Sequence, residues 1–296
     1  IVLLTASIGS VIQSLQRILP ASVATTALAI VAAVSIPERA DGQNIRQRDL
    51  RSPDAADWIM DGRTYDAKRY SPLNAINEDN VDELGLAWYH ELNTFRGVEA
   101  TPLAIDGVLY NISAWNVTTA HDGATGEVLW EFDPEVPREW GRYACCEPVA
   151  RGLAAWRDSI IIATLDGRLI SLDRDSGEPR WSVQTFEKTM PYSITGAPRV
   201  FDGKVVVGNS GADMGVRGFV SAYDADDGEL LWQFFLVPGN PADGFENEAM
   251  AMAAETWNGE WWTLGGGGTG PAAGRGHVED KDVLTQHVDG RPAADG

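Results

Sequence analysis

The 296 residues carry 23 Lys and Arg against 43 Asp and Glu, a formal net charge of −20. That balance excludes nucleic acid and anionic membrane surfaces as partners of the folded part, since both are held through basic patches. Two cysteines exclude a disulfide scaffold, and without a Cys-x-x-Cys-His no c-type haem attaches to this chain.

Residues 1–40 stand apart. From Ile1 to Ile36 the only charge is Arg17, and Ile18 to Ile36 is an uncharged run of 19 residues rich in Ala and Val. That length suits a membrane-spanning helix. It equally suits the apolar region of a signal peptide, with small residues from Ala32 to Ser35 and at Ala40 for cleavage. Both readings imply export, and the choice between cleaved signal and anchor through residues 1–36 stays open. The chain begins at Ile1 without a methionine.

Residues 41–57, with Arg46, Arg48, Asp49, Arg51 and Pro53, read as a polar linker. The folded part is expected over 58–269. It opens with Trp58 to Arg63 and Arg69-Tyr70-Ser71-Pro72-Leu73. A short helical turn is expected within Asn80–Leu86, leading into a strand over Leu86–Leu92.

A repeat follows. Asp122, Gly126, Glu127 and Trp130 recur as Asp173, Gly177, Glu178 and Trp181, and again as Asp224, Gly228, Glu229 and Trp232, each 51 residues apart. A fixed period is the mark of a repeat architecture. In each unit a strand ends at Asp, a Gly-containing turn follows, and a new strand leads to Trp. Upstream, Asp106-Gly107, Asp158-Ser159 and Asp202-Gly203 signal a second hairpin, followed by apolar runs such as Ile160 to Ala163. About four short strands per unit predict an all-β fold built of β-propeller blades. A β-sandwich is the alternative, but nothing in a sandwich requires three equal periods.

Between the first two repeats lie Cys145 and Cys146, which are neighbours. Adjacent cysteines cannot staple distant elements. They are open to three readings: a strained disulfide between neighbours, a soft-metal site, or two buried thiols. Beyond the third repeat, Val237 to Gly244 reads as a loop and Glu246 to Trp257 as helical. Trp261-Trp262 through Gly265 to Thr269 reads as the approach to another blade. Residues 270–296 contain no aromatic residue yet hold two of the four histidines. They are expected to be disordered or out of frame, a reading-frame slip near Thr269 being the favoured explanation.

Taken jointly, the adjacent cysteines between tryptophan-bearing repeats, Arg69-Tyr70-Ser71-Pro72, Glu99-Ala100-Thr101-Pro102-Leu103, Arg151, Thr195-Gly196-Ala197-Pro198 and Ser210 to Gly218 resemble the quinoprotein alcohol dehydrogenases, which use pyrroloquinoline quinone (PQQ). The resemblance implies an eight-bladed propeller with PQQ near its axis above a calcium or lanthanide ion, of which this chain matches about the first three blades. It implies that Cys145 and Cys146 form a vicinal disulfide against one face of the quinone. It also implies that Glu99, Arg151, Thr195, Ser210, Gly211, Ala212 and Thr269 contact the cofactor. Arginine suits that task because its planar fork pairs carboxylates and stays charged.

Asp213 stands where the family usually has a glutamate that ligates the ion. It keeps the charge but is one methylene shorter. Pro271 stands where the family has a tryptophan floor, and the catalytic aspartate base has no counterpart, so no catalytic residue is assigned. The implied whole is an exported, periplasmic enzyme that oxidises a small primary alcohol and passes electrons to a cytochrome or quinone. This chain alone is expected to be inactive. The rival from another class is a non-enzymatic periplasmic propeller that binds partner proteins, which would need neither the cysteine pair nor Glu99.

Overall fold

Each Asp–Gly–Glu–Trp repeat folds as one hairpin, and the reason is local. Asp122 accepts hydrogen bonds through Oδ1 from the backbone N–H of Ala124 (3.0 Å) and Thr125 (2.8 Å) and from the Thr125 hydroxyl. Asp173 does the same for Asp175 and Ser176, and Asp224 caps Asp226. Short acidic side chains that bond the backbone two or three residues on are strong turn formers. The turn then needs a left-handed residue, supplied by Gly126, Gly177 and Gly228 at φ +78°, +74° and +79°.

The computed structural model describes residues 44–144, 147–211 and 214–264. Among these, twelve strands form three four-stranded antiparallel sheets. The first holds β1 (Leu103–Ile105), β2 (Val108–Ile112), β3 (Thr118–Asp122) and β4 (Val128–Phe132). The second holds β5 (Ala154–Trp156), β6 (Ser159–Ala163), β7 (Arg168–Asp173) and β8 (Pro179–Gln184). The third holds β9 (Arg199–Phe201), β10 (Lys204–Gly208), β11 (Phe219–Asp224) and β12 (Leu230–Phe235). Strands pair in sequence order within every sheet, the meander of a propeller blade. The register shifts at the same place in all three, between Ala120 and His121, Ser171 and Leu172, and Ala222 and Tyr223. A bulge there bends the outer strand and increases its twist.

The middle strands form the core. β6 is buried throughout, and Tyr110, Ile112, Leu169 and Val205 are essentially inaccessible. Tryptophans join one unit to the next. Trp88 packs on Gly126, Trp130 on Gly177 and Trp181 on Gly228; a Cβ at any of these glycines would lie 2.5–2.8 Å from an indole carbon. Trp88 Nε1 donates to the Gly123 carbonyl (3.1 Å) and Trp130 Nε1 to the Arg174 carbonyl (2.9 Å). Trp232 Nε1, by contrast, is buried without a hydrogen-bond partner among the described residues.

Two regions differ from expectation. The polar stretch before Trp58 is packed onto the blades at Ile45 and Leu50. Ile45 pairs with Arg157 as an antiparallel bridge, α1 (Gln47–Arg51) follows, and Ile45 and Leu50 are buried. Leu86–Leu92 is not a strand. A 3₁₀ turn at Val81–Glu83 leads into it, but no described strand pairs with it, and Leu86 and Tyr89 are 81% and 73% exposed. Alternating apolar residues make a ribbon only when a neighbour takes the backbone hydrogen bonds. Trp261 and Trp262 lie in a 3₁₀ helix, Trp261–Leu264, with Trp261 Nε1 bonded to the Pro238 carbonyl. The helix expected nearby is present as α2 (Glu248–Ala254), N-capped by the Asn247 side chain.

The unpaired segment is seated on the first sheet through a histidine. His121 on β3 stacks with Trp88 (5.8 Å) and meets His90 edge-on (4.6 Å), and its Nε2 faces the Thr119 hydroxyl at 3.0 Å. Burial pushes the His121 imidazole below the ordinary histidine range, and His90 pushes the same way. The Gly126 carbonyl and Glu131 oppose them. A depressed histidine favours its neutral form in the fold. Its contribution is therefore complete above the ordinary value near 6.5 and is lost as pH falls below it. Amide exchange across residues 86–92 should speed up as pH is lowered from 7 to 5, after correction for the intrinsic rate. His121→Gln should flatten that dependence.

Candidate functional site

The segments leading into the three sheets lie side by side. Thr101 N–H donates to the Arg151 carbonyl (3.3 Å), and Arg151 N–H donates to the Thr195 carbonyl (3.0 Å). Thr101 also forms a parallel bridge with Gly152. This rung places one residue from each blade at the same level. The Arg151 guanidinium then reaches both neighbours, pairing with Glu99 Oε2 at 3.1 Å and donating to Thr195 Oγ1 at 2.7 Å. Three of the residues expected at the site are thus brought together by chain segments 44 and 52 positions apart.

The Arg151 and Glu99 side chains are 38% and 44% exposed. An ion pair that wet contributes roughly 0–1 kcal/mol to stability. The cluster is therefore a half-exposed set of charged and polar groups rather than a clamp on the fold.

Ser210 is tied to the segment that carries Thr195. It forms an antiparallel bridge with Ser193, and its hydroxyl lies 3.0 Å from the Ser193 carbonyl and 2.8 Å from the Ser193 hydroxyl. Ser193, which is fully buried, also donates to the Tyr143 carbonyl (3.1 Å). That bond ties the approach to Cys145 to the Ser193–Ser210 bridge. Nothing in the local sequence marks Ser193, because its importance comes from what lies across the bridge. Gly211 has φ +121°, and a Cβ there would lie 2.7 Å from the Pro191 carbonyl. Packing against its own neighbours therefore accounts for this glycine without a ligand. Cys145, Cys146, Ala212, Asp213 and Thr269 lie outside the described residues.

The described flanks of the cysteine pair, Ala144, Glu147 and Pro148, line an open cavity of 610 Å³ together with Arg96, Trp115 and Arg138. Arg138 lies 4.4 Å above the Trp115 ring. Glu147 accepts from the Gly97 N–H (3.1 Å) and faces Arg96 (3.8 Å). Trp115 and Glu147 both hold left-handed backbone, at φ 63° and 86°.

A second charged network abuts the first. Asp61, 5% exposed, bridges two arginines: its Oδ1 pairs with Arg69 (2.9 Å) and its Oδ2 with Arg199 (3.0 Å). Arg69 donates in turn to the Thr101 hydroxyl (3.0 Å). Among the described residues, no group of three or more His, Cys, Asp or Glu could hold a metal ion. Nor is any described helix long and apolar enough to cross a membrane.

Comparison with known proteins gives the family of the chain. Residues 58–265 match the β-propeller domain model of the PQQ-dependent glucose/ethanol/alcohol dehydrogenases. The chain is 54% identical over 214 residues to the quinohemoprotein alcohol dehydrogenase ADH IIB of Pseudomonas putida, covering 72% of this chain and 31% of that one. Among solved structures, the quinohemoprotein alcohol dehydrogenase ADHIIG of Pseudomonas putida superposes with a TM-score of 0.75 at 45% identity, over 78% of this chain and 34% of that one. A europium-containing methanol dehydrogenase superposes at 0.66 and 34% identity, over 74% and 40%. The chain therefore spans about a third of the length of the relatives it matches. With three meander blades, the tryptophan-joined repeat and a match over most of its folded part, the chain belongs to the PQQ-dependent alcohol dehydrogenase β-propeller family.

Proposed function

We propose that this chain forms part of the PQQ cradle of an exported, periplasmic alcohol dehydrogenase that oxidises a primary alcohol to an aldehyde. The observation that carries the reading is the rung of Thr101, Arg151 and Thr195, with Glu99 paired to Arg151, at the entrance to three successive blades. The donor set fits PQQ, a planar quinone bearing carboxylates: a half-exposed guanidinium, a carboxylate and a hydroxyl converge on one surface. Arg151 would hold a carboxylate or carbonyl oxygen of the cofactor, Thr195 would add its hydroxyl, and Glu99 would orient the guanidinium and meet a cofactor N–H. The Cys145–Cys146 pair would cover one face of the ring as a disulfide. Asp213 would contribute a carboxylate to a calcium or lanthanide ion.

Bound PQQ supplies the two-electron acceptor for the hydride leaving the alcohol carbon. The chain's own part is to position the cofactor and exclude water from it. No residue here is assigned as the base that takes the alcohol proton, so alcohol oxidation and electron transfer to a cytochrome or quinone are proposed for the whole protein. The non-enzymatic scaffold reading draws on no observation of its own, since a scaffold has no use for an arginine shared between Glu99 and Thr195.

The test is direct binding. PQQ should quench the tryptophan fluorescence of the chain saturably, and Arg151→Gln should weaken that binding at least about tenfold, the equivalent of one charge-assisted hydrogen bond. Absence of saturable PQQ binding by the parent chain, or equal affinity in Arg151→Gln, would overturn the proposal.

A further inference from the structure

The rung has a second guanidinium. Read across the entrance to the blades, Arg69 bonds the Thr101 hydroxyl and Arg151 bonds the Thr195 hydroxyl, at 3.0 and 2.7 Å. Each arginine is held by one carboxylate, Asp61 for Arg69 and Glu99 for Arg151, at 2.9 and 3.1 Å. Thr101 and Thr195 sit on either side of Arg151 in the same backbone rung. The arrangement arginine–carboxylate–threonine therefore occurs twice on neighbouring segments. In a chain with 43 acidic and 23 basic side chains, two such guanidiniums on segments linked through Thr101 are out of keeping with the general charge.

We infer that Arg69 is a second carboxylate-binding residue of the cradle, working beside Arg151 on a polycarboxylate ligand; this rests on the PQQ reading above. Three features support it. The Arg69 side chain is 52% exposed although it is anchored at both Asp61 and Thr101, so its guanidinium is fixed yet open to a ligand. Its backbone is left-handed, φ 53°, a conformation that costs a non-glycine residue energy and persists where the surroundings enforce it. Those surroundings are the Arg69 N–H to Gly62 carbonyl bond and the Trp58–Ala104 bridge that pins the segment to β1. Finally, Arg199, the other partner of Asp61, lies four residues beyond Thr195. The buried Asp61 therefore sets Arg69 and the Thr195 segment relative to one another. A ligand with more than one carboxylate matches two fixed guanidiniums better than one, because each guanidinium has five N–H donors and keeps some beyond those given to its carboxylate and threonine.

The alternative is that Arg69 only ties its loop to Thr101. The experiment separates the two by chemistry. PQQ and its trimethyl ester, which carries no negative carboxylates, are titrated by tryptophan quenching against the full chain, Arg69→Gln, Arg69→Lys and Arg151→Gln. Arg69→Gln is expected to weaken PQQ about tenfold and to leave ester binding unchanged. Arg69→Lys, which keeps the charge opposite Asp61 but loses the fork, should fall between. Should circular dichroism show Arg69→Gln unfolded, Arg69→Lys carries the test with the same selectivity for PQQ over the ester. Equal loss for PQQ and ester means a structural role, and unchanged PQQ affinity in both Arg69 variants means no role. Either overturns the inference. If Arg151→Gln weakens PQQ while the Arg69 variants do not, this inference alone falls. If the parent chain does not bind PQQ, both fall.

Discussion

Trp130→Ala should lower the stability of the chain by about 3–5 kcal/mol, the usual cost of emptying a buried aromatic site. Trp130 is 8% exposed, its ring lies 5.9 Å from Tyr110, and its Nε1 holds the Arg174 carbonyl on the next sheet. Removing it takes away area, an aromatic contact and a hydrogen bond at the joint between two blades. The same joint can be opened from the other side. Gly177 sits at φ +74° with a virtual Cβ 2.7 Å from the Trp130 indole, so Gly177→Ala adds a clash to backbone strain and should cost about 2–4 kcal/mol. Gly107→Ala is the control. Its φ is +78° and nothing lies within 4 Å of its virtual Cβ, so it should cost only the strain, about 1–2 kcal/mol. Urea midpoints for the three variants check the order. If Gly177→Ala matches Gly107→Ala, the indole does not press on the glycine and the joint is looser than described.

The contrast between those two glycines shows where the sequence is legible. Asp122, Gly126 and Trp130 lie within one turn and its flanking strands, and local rules suffice to read them, so the blades and their period follow directly. What Trp130 packs against is 47 residues away, and only the repetition of the unit hints at it. Non-local placement is where reading fails. Leu86–Leu92 has the composition of a strand, but a strand is a property of two segments, and no described segment pairs with this one. Ile45 and Leu50 are single apolar residues in a charged stretch, too few to show a period, yet each is buried because the blades offer a seat. At the site, Glu99, Arg151 and Thr195 are legible only through family resemblance, and the backbone rung that unites them has no local signature. Asp61 gave no sign at all. In sequence it is an ordinary loop acid before a glycine, and its burial between two arginines comes from segments as many as 138 positions away.

Asp61→Ala is accordingly the substitution expected to couple stability and site most strongly. The carboxylate is 7% exposed at its side chain, while Arg199 and Arg69 are 25% and 52% exposed. Breaking a fully buried pair costs about 3–5 kcal/mol because the partner is left uncompensated. Here both partners reach water, which screens them, so about 2–3 kcal/mol is expected. Asp61→Asn retains a carbonyl oxygen for one arginine and should lose about 1–2 kcal/mol, a hydrogen bond to charge without the full pairing. Because Asp61 joins the segment 58–69 to β9, the loss should be local as well as global. Amide exchange should rise over residues 58–69 and at Arg199–Phe201, and stay near the parent value in β6 and β7. Added salt should narrow the gap between Asp61→Ala and the parent, since it screens the two arginines left facing each other. A double-mutant cycle with Arg199→Met gives the pair energy itself. A coupling within error of zero would mean that Asp61 is buried for reasons of packing, and that the two arginines are placed by their own strands.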